Sequence, residues 1–150
     1  MKPSLNITKN FDLKKIKFDL TKELNIGGFI VRQDHIDRLD RGLGVDGRAM
    51  QKLKKSTVKA KGSNQILVDT DKMRRLNVKK ATPTKQIVLI EPGAKRRYPK
   101  TNVTPKQVGR WHQEGAGSLP KREWFGISKT AEKRVIKQAE RKIRSMIKNA

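Results

Sequence analysis

One run in this chain, Gln86-Ile87-Val88-Leu89-Ile90, is continuous and rich in β-branched residues, as a buried strand is, and it stands between two long stretches of helical period. Upstream, Leu13, Ile16, Leu20, Leu24, Gly27 and Val31 recur at three- and four-residue steps from about Asn10, with Leu39 two turns on. A helix continuous to Arg41 is the expectation, with a kink or break at Gly27-Gly28, where two glycines cost about 1–2 kcal/mol, and a left-handed end at Gly42. Downstream, Ser128 caps a last helix whose apolar face is Ala131, Val135, Ala139, Ile143, Met146 and Ile147.

The middle supplies the remaining pieces. Leu76-Asn77-Val78 alternates as a partner strand, with Ala81-Thr82-Pro83-Thr84 as the hairpin connection. Gly44-Val45-Asp46-Gly47 is a turn, Ser56 is placed to cap a short helix reaching Lys61, and Asp71 to Arg75 form one helical turn. Gln65 to Thr70 is a short apolar run between them. Thr104-Pro105-Lys106-Gln107 opens a short helix as a capping box with proline at its first position, ending near Glu114 with Gly115 beyond. Leu119 to Ile127 reads as extended. The expected fold is α+β: a small antiparallel sheet packed with a long N-terminal helix, a short middle helix and a C-terminal helix. Residues 1–9 read as a flexible arm and residues 10–150 as a single domain.

The chain carries 37 basic and 14 acidic residues, a formal +23, and the excess is uneven: net +3 over residues 1–50 and net +20 over the rest. Such a field draws nucleic acid, anionic surfaces or acidic proteins. With 34% hydrophobic and 5% aromatic residues the core is expected to be small. The absence of cysteine excludes disulfides and thiolate metal sites and fits assembly in a reducing cytoplasm. No signal-peptide pattern opens the chain and no run of about 18 apolar residues occurs, so no membrane role is expected.

Catalysis finds little support. His35 and His112 are the only histidines, and neither has a metal-ligand partner at a known spacing. Asp34-His35 reads as a solvated or interface pair, and Asp37 and Asp40, interleaved with Arg38 and Arg41, as a salt-bridged solvent face. No phosphate loop or nucleophile motif appears, so a non-enzymatic chain without cofactor or metal is expected. Basic clusters are Lys52, Lys54, Lys55, Lys59 and Lys61; Lys72, Arg74 and Arg75; and Lys95, Arg96 and Arg97. Phosphate contact by such groups gives salt-sensitive, sequence-independent binding, but Tyr98 and Trp111 are the only stacking partners near them. Composition alone points to an RNA- or DNA-binding protein of ribosomal type.

Trp111-His112-Gln113-Glu114-Gly115, followed after a short spacer by Leu119-Pro120-Lys121-Arg122-Glu123-Trp124-Phe125-Gly126-Ile127-Ser128, moves the reading elsewhere. This stretch resembles the phage virion morphogenesis family, the tail-completion-like proteins of Mu-like phages. There a helix ends in a His-Gln-x-Gly-type motif, followed by a segment close to Ile-Pro-Ala-Arg-Pro-Phe-Leu-Gly-Leu-Ser and a terminal helix. Pro120, Arg122, Gly126 and Ser128 match without a gap, and Trp124 takes the Phe position. Asp46-Gly47, Ser56-Thr57 with Lys61, and Ile66-Leu67-Val68-Asp69-Thr70 agree in order, with Asp71 where the family has Gly and Met73 where it has Leu.

The resemblance implies a structural subunit of a tailed-phage neck or tail end, located in the virion and assembled in the host cytoplasm. Such a subunit completes the tail or joins it to the head as a ring, hexameric or dodecameric, around the DNA channel. The motif residues, His112, Gln113, Gly115, Pro120, Arg122, Trp124, Phe125 and Gly126, are then expected at a subunit interface or as a structural motif, with Arg122 forked onto a carboxylate or carbonyls. Trp124 and Phe125 anchor either the core or a neighbour. Lys52, Lys54, Lys55, Arg74, Arg75, Lys95, Arg96 and Arg97 are expected to meet acidic neck, connector or tail proteins, or packaged double-stranded DNA non-specifically. A six-membered ring about 40 Å tall encloses only about 24 phosphate charges. Six copies carry about 140 positive charges, so most of the basic surface is expected to face acidic proteins.

Overall fold

The computed structural model describes residues 19–67, 73–92 and 102–148. In chain order these form α1 (Thr21–Asp40), α2 (Lys55–Lys61), β1 (Leu76–Lys79), β2 (Leu89–Pro92), α3 (Pro105–Glu114) and α4 (Lys129–Lys148). The fold is α+β, with two antiparallel strands and long helices toward both ends.

Helix α1 begins at Thr21, later than the expected start near Asn10; residues 10–18 lie outside the described residues. Its entry is held by polar groups: Asp19 Oδ1 accepts the Thr21 N–H at 2.9 Å and Gln86 Oε1 accepts the Leu20 N–H at 3.1 Å. The helix runs unbroken through Gly27-Gly28. These glycines serve close packing instead of a break. A Cβ on Gly28 would lie 2.8 Å from Val88 Cγ1 and 2.9 Å from Val78 Cγ1, and one on Gly27 would lie 3.1 Å from Val135 Cγ1. At the far end Gly42 adopts φ 66°, the Gly42 N–H donates to Leu39 O at 3.0 Å, and the Leu43 N–H donates to Arg38 O at 2.8 Å. Together these make a Schellman end.

The strands pair with Val78 opposite Ile90 and Leu76 opposite Pro92. The second strand lies three residues beyond the start of the apolar run. The preceding turn is closed by reciprocal backbone bonds between Thr82 and Lys85, and the Ile87 N–H bonds to Lys85 O, which takes residues 86–88 out of the ladder. Nor is this strand buried: Ile87 and Leu89 are exposed, and Val88 and Ile90 are only half-buried. Asn25 pins α1 to the end of β1, its Oδ1 accepting the Ala81 N–H at 2.8 Å and its Nδ2 donating to Ala81 O at 3.2 Å.

Helix α2 starts at Lys55 without a side-chain cap, so Ser56 lies inside its first turn instead of capping it; Gly62 ends it at φ 70°. Met73 and Arg74 occupy a turn, while the rest of the expected 71–75 helical turn begins outside the described residues. Helix α3 has the full capping box and Pro105 in its first turn, and Gly115 ends it at φ 73°. Helix α4 packs along α1, but Ala131 is its one fully buried residue, and the rest of its apolar face is half-buried. The core is small: Leu39, Met50, Ile66, Met73 and Trp124, flanked by Leu53, Leu67 and Phe125. It sits at the C-terminal end of α1.

Candidate interface site

The segment between α3 and α4 belongs to no strand, so its backbone donors and acceptors need other partners. Gln113, on the last turn of α3, supplies three. Its Oε1 accepts the Trp124 N–H at 3.0 Å and the Phe125 N–H at 3.1 Å, and its Nε2 donates to Phe125 O at 3.2 Å. One side-chain amide thus does for this segment what a neighbouring strand does in a sheet. The Arg122 N–H donates to His112 O at 2.6 Å, and Gly115, in its left-handed cap, lies so near Lys121 that a Cβ would sit 3.1 Å from Lys121 Cβ.

Arg122 is buried and, in place of a fork onto a carboxylate or carbonyls, divides its donors between one carbonyl and an imidazole: its Nε donates to Gln51 O at 3.1 Å. Its Nη1 lies 3.2 Å from His112 Nδ1. A guanidinium has only donors, so this His112 nitrogen accepts and the imidazole is neutral with its proton on Nε2. Burial, and then the adjacent Arg122 charge, push the His112 pKa below its ordinary value, and burial lowers that of Arg122. Trp124 is 2% exposed and donates from Nε1 to Gly109 O at 2.8 Å. A Cβ on Gly109 would stand 2.5 Å from Trp124 Cζ2, so the indole occupies space that only glycine leaves open. Of the two roles open to Trp124, the structure selects the core. Phe125 is half-buried beside it, with ring centroids 5.6 Å apart. Gly126 packs against Val45, where a Cβ would lie 3.2 Å from Cγ2. Pro120 is half-buried at the edge of a cavity of about 1100 Å³ that Lys52, Lys54 and Arg122 also line.

Of the expected solvent face of α1, Asp37, Asp40 and Arg41 are exposed as expected, and Arg38 is buried. Asp34 and Arg38 form a buried ion pair at 2.8 Å, and Arg38 also donates from its two Nη atoms to Trp124 O and Gly126 O, each at 3.3 Å. Ser128 Oγ donates to Asp34 Oδ1 at 2.9 Å while accepting the Ala131 N–H at 3.1 Å, so the α4 cap and the α1 ion pair share one hydroxyl. His35, expected to be solvated or at an interface, is 1% exposed; its Nε2–H donates to Met73 O at 3.0 Å, and its ring lies 5.5 Å from that of Trp124. Burial depresses its pKa. Asp40 pairs with Arg74 at 2.8 Å, and Asp37 accepts from Gln33 Nε2 at 2.8 Å. Arg38 thus bonds to Asp34 and the 124–126 backbone instead of to its chain neighbours in the acidic pair.

The motif residues therefore converge on one joint. Lys52, Lys54 and Lys55 are exposed around the start of α2, and Arg75 is exposed beside the half-buried Arg74, which is engaged by Asp40. Lys95, Arg96 and Arg97 lie outside the described residues. Four contributors escaped sequence reasoning: Gly109, Asp34, His35 and Arg38. A further basic surface did too. Lys129, Lys133, Arg134, Lys137, Arg141, Lys142, Arg144 and Lys148 of α4 are all exposed, against two acids, Glu132 and Glu140, on the same helix. Among the described residues no group of three His, Asp or Glu side chains is placed to hold a metal ion, and no helix is long and apolar enough to cross a membrane.

Fold and site together define a small α+β chain whose most distinctive segment is an internal joint, with further basic residues exposed on α2 and α4. No protein-family model, curated protein or solved structure matches the chain.

Proposed function

We propose that this chain is a non-enzymatic structural subunit of a tailed-phage neck or tail end. It assembles as a ring, hexameric or dodecameric, that completes the tail or joins it to the head around the DNA channel. The observation that carries the reading is the joint. The residues on which the family resemblance rests, Gln113, Gly115, Arg122, Trp124, Gly126 and Ser128, are those that interlock α1, α3 and α4. Resemblance at residues that decide the fold is informative about shape, and shape is what lets a subunit fit an assembly. Surface composition supports it as well. Ile87, Leu89, Ile127 and Ile136 are large apolar side chains left 54%, 43%, 60% and 49% exposed, a pattern that suits neighbours in a ring.

Negative-stain imaging of the purified protein, with detection of the chain in purified virions, tests the reading. Closed rings and a place in the particle are expected. A monomer that binds RNA tightly and loses it with salt, and that is missing from virions, would sink the proposal in favour of a ribosomal-type nucleic-acid-binding protein.

A further inference from the structure

Helix α4 carries its cations in a register. Lys129, Lys133, Lys137, Arg141, Arg144 and Lys148 follow one another at steps of four, four, four, three and four residues, which holds them on one side of the helix, with the exposed Glu140 the one acid among them. The half-buried apolar positions Val135, Ala139, Ile143 and Met146 occupy the side packed toward α1, so the cationic stripe faces outward. At 1.5 Å per residue, successive charges are spaced about 6 Å apart over about 28 Å. A stripe this straight and regular fits a linear polyanion of constant charge spacing better than the uneven surface of an acidic protein.

We infer that α4 is a track for the phosphate backbone of double-stranded DNA, read without regard to sequence. Stripe positions offer no aromatic ring on which an unpaired base could stack, which favours duplex over single strands. In a ring of the kind proposed above, a duplex segment as long as α4 carries about 17 phosphate charges. Six stripes of six cations exceed that without help from Lys52, Lys54 or Lys55, which leaves the α2 side of the molecule for acidic protein neighbours. The placement in a channel rests on the assembly reading; the affinity of α4 for duplex does not.

The test is fluorescence anisotropy of the full chain with a labelled duplex of about 20 base pairs across a salt series. The triple variant Lys133→Gln, Lys137→Gln, Arg141→Gln removes three stripe charges; Lys52→Gln, Lys54→Gln, Lys55→Gln removes three from the α2 side. All six positions are exposed, so both variants are expected to fold, which circular dichroism melts check. The stripe variant is expected to lower the slope of log K against log salt by about 2.7 and to weaken binding at 0.1 M salt by about two orders of magnitude. The α2-side variant should stay within about threefold of the parent. Equal losses from both variants, tighter binding of single-stranded RNA of the same length, or displacement of duplex by polyglutamate at matched charge would each overturn the inference. Rings that ignore duplex DNA overturn this inference alone, and a monomer that binds duplex through α4 overturns only the assembly reading.

Discussion

Replacing Gln113 with Met keeps the length and much of the volume of the side chain but removes every hydrogen bond it makes to the joint. Three are lost: the Trp124 and Phe125 N–H groups lose their acceptor, and Phe125 O loses a donor. At about 1 kcal/mol net for each bond the loss is about 3 kcal/mol. Water reaches part of this half-buried site and recovers some of it, so a destabilisation of about 2–3 kcal/mol is expected. For a chain of this size that corresponds to a fall in Tm of about 5–12 °C. Gln113→Glu sharpens the reasoning, because a carboxylate still accepts from both N–H groups but faces Phe125 O with no proton to give. It should fall between the parent and the Met variant near neutral pH. Urea unfolding of the three proteins, followed by Trp fluorescence, provides the measurement, with the midpoint moving and the m-value unchanged. A loss below about 0.5 kcal/mol for the Met variant would show that the amide does not organise the joint.

Two further outcomes follow from the same geometry. Gly28→Ala, which in an exposed helix gains about 1 kcal/mol, should here cost about 1–3 kcal/mol because the new methyl meets Val88 and Val78 at under 3 Å; a stabilised variant in thermal melts would refute the close packing of helix on sheet. The pKa of His35 is depressed in the fold, mainly by burial and further by Arg38, with Asp34 and the Met73 carbonyl opposing, so below its ordinary value near 6.5 the unfolded chain binds more protons than the folded one. Its contribution to stability is therefore full above that pH and is lost as pH falls toward the folded value, by up to about 1.4 kcal/mol per pH unit. His112 adds a slope of the same sign. His35→Gln, which keeps a donor for Met73 O, should flatten the acid limb of stability measured between pH 7 and 4, and identical profiles for variant and parent would refute the assignment.

The parts of this fold legible in the sequence were those decided within a few residues. Thr104 and Gln107 satisfy each other's backbone, so the α3 start was plain, and Ser128 bonds the Ala131 N–H three residues on. The second strand was displaced because its boundary depends on a turn at Thr82–Lys85 and on register with β1, neither of which hydrophobicity records. The buried Asp34–Arg38 pair was hidden because charged residues read as solvent-facing. Yet the stripe through Leu24, Gly28 and Val31 continues at the same step to His35 and Arg38, and a count of positions without regard to polarity would have placed both inside. Gly109 left no signal at all: its lack of a side chain matters only because Trp124 arrives from fifteen residues away.

The bonds from Arg38 to Trp124 O and Gly126 O, and from Ser128 to Asp34, join residues 86, 88 and 94 positions apart. On a ribosome adding about 5–20 residues per second, α1 therefore waits for about 5–20 s with its ion pair facing water before the groups that enclose it have been made. The contacts of α1 with the sheet, at Gly28 and Asn25, have their partners earlier; the joint closes last, when the final third of the chain arrives. A fragment ending before Trp124 lacks every group outside α1 that holds the Asp34–Arg38 pair in the finished protein, and it is expected to leave that pair in water.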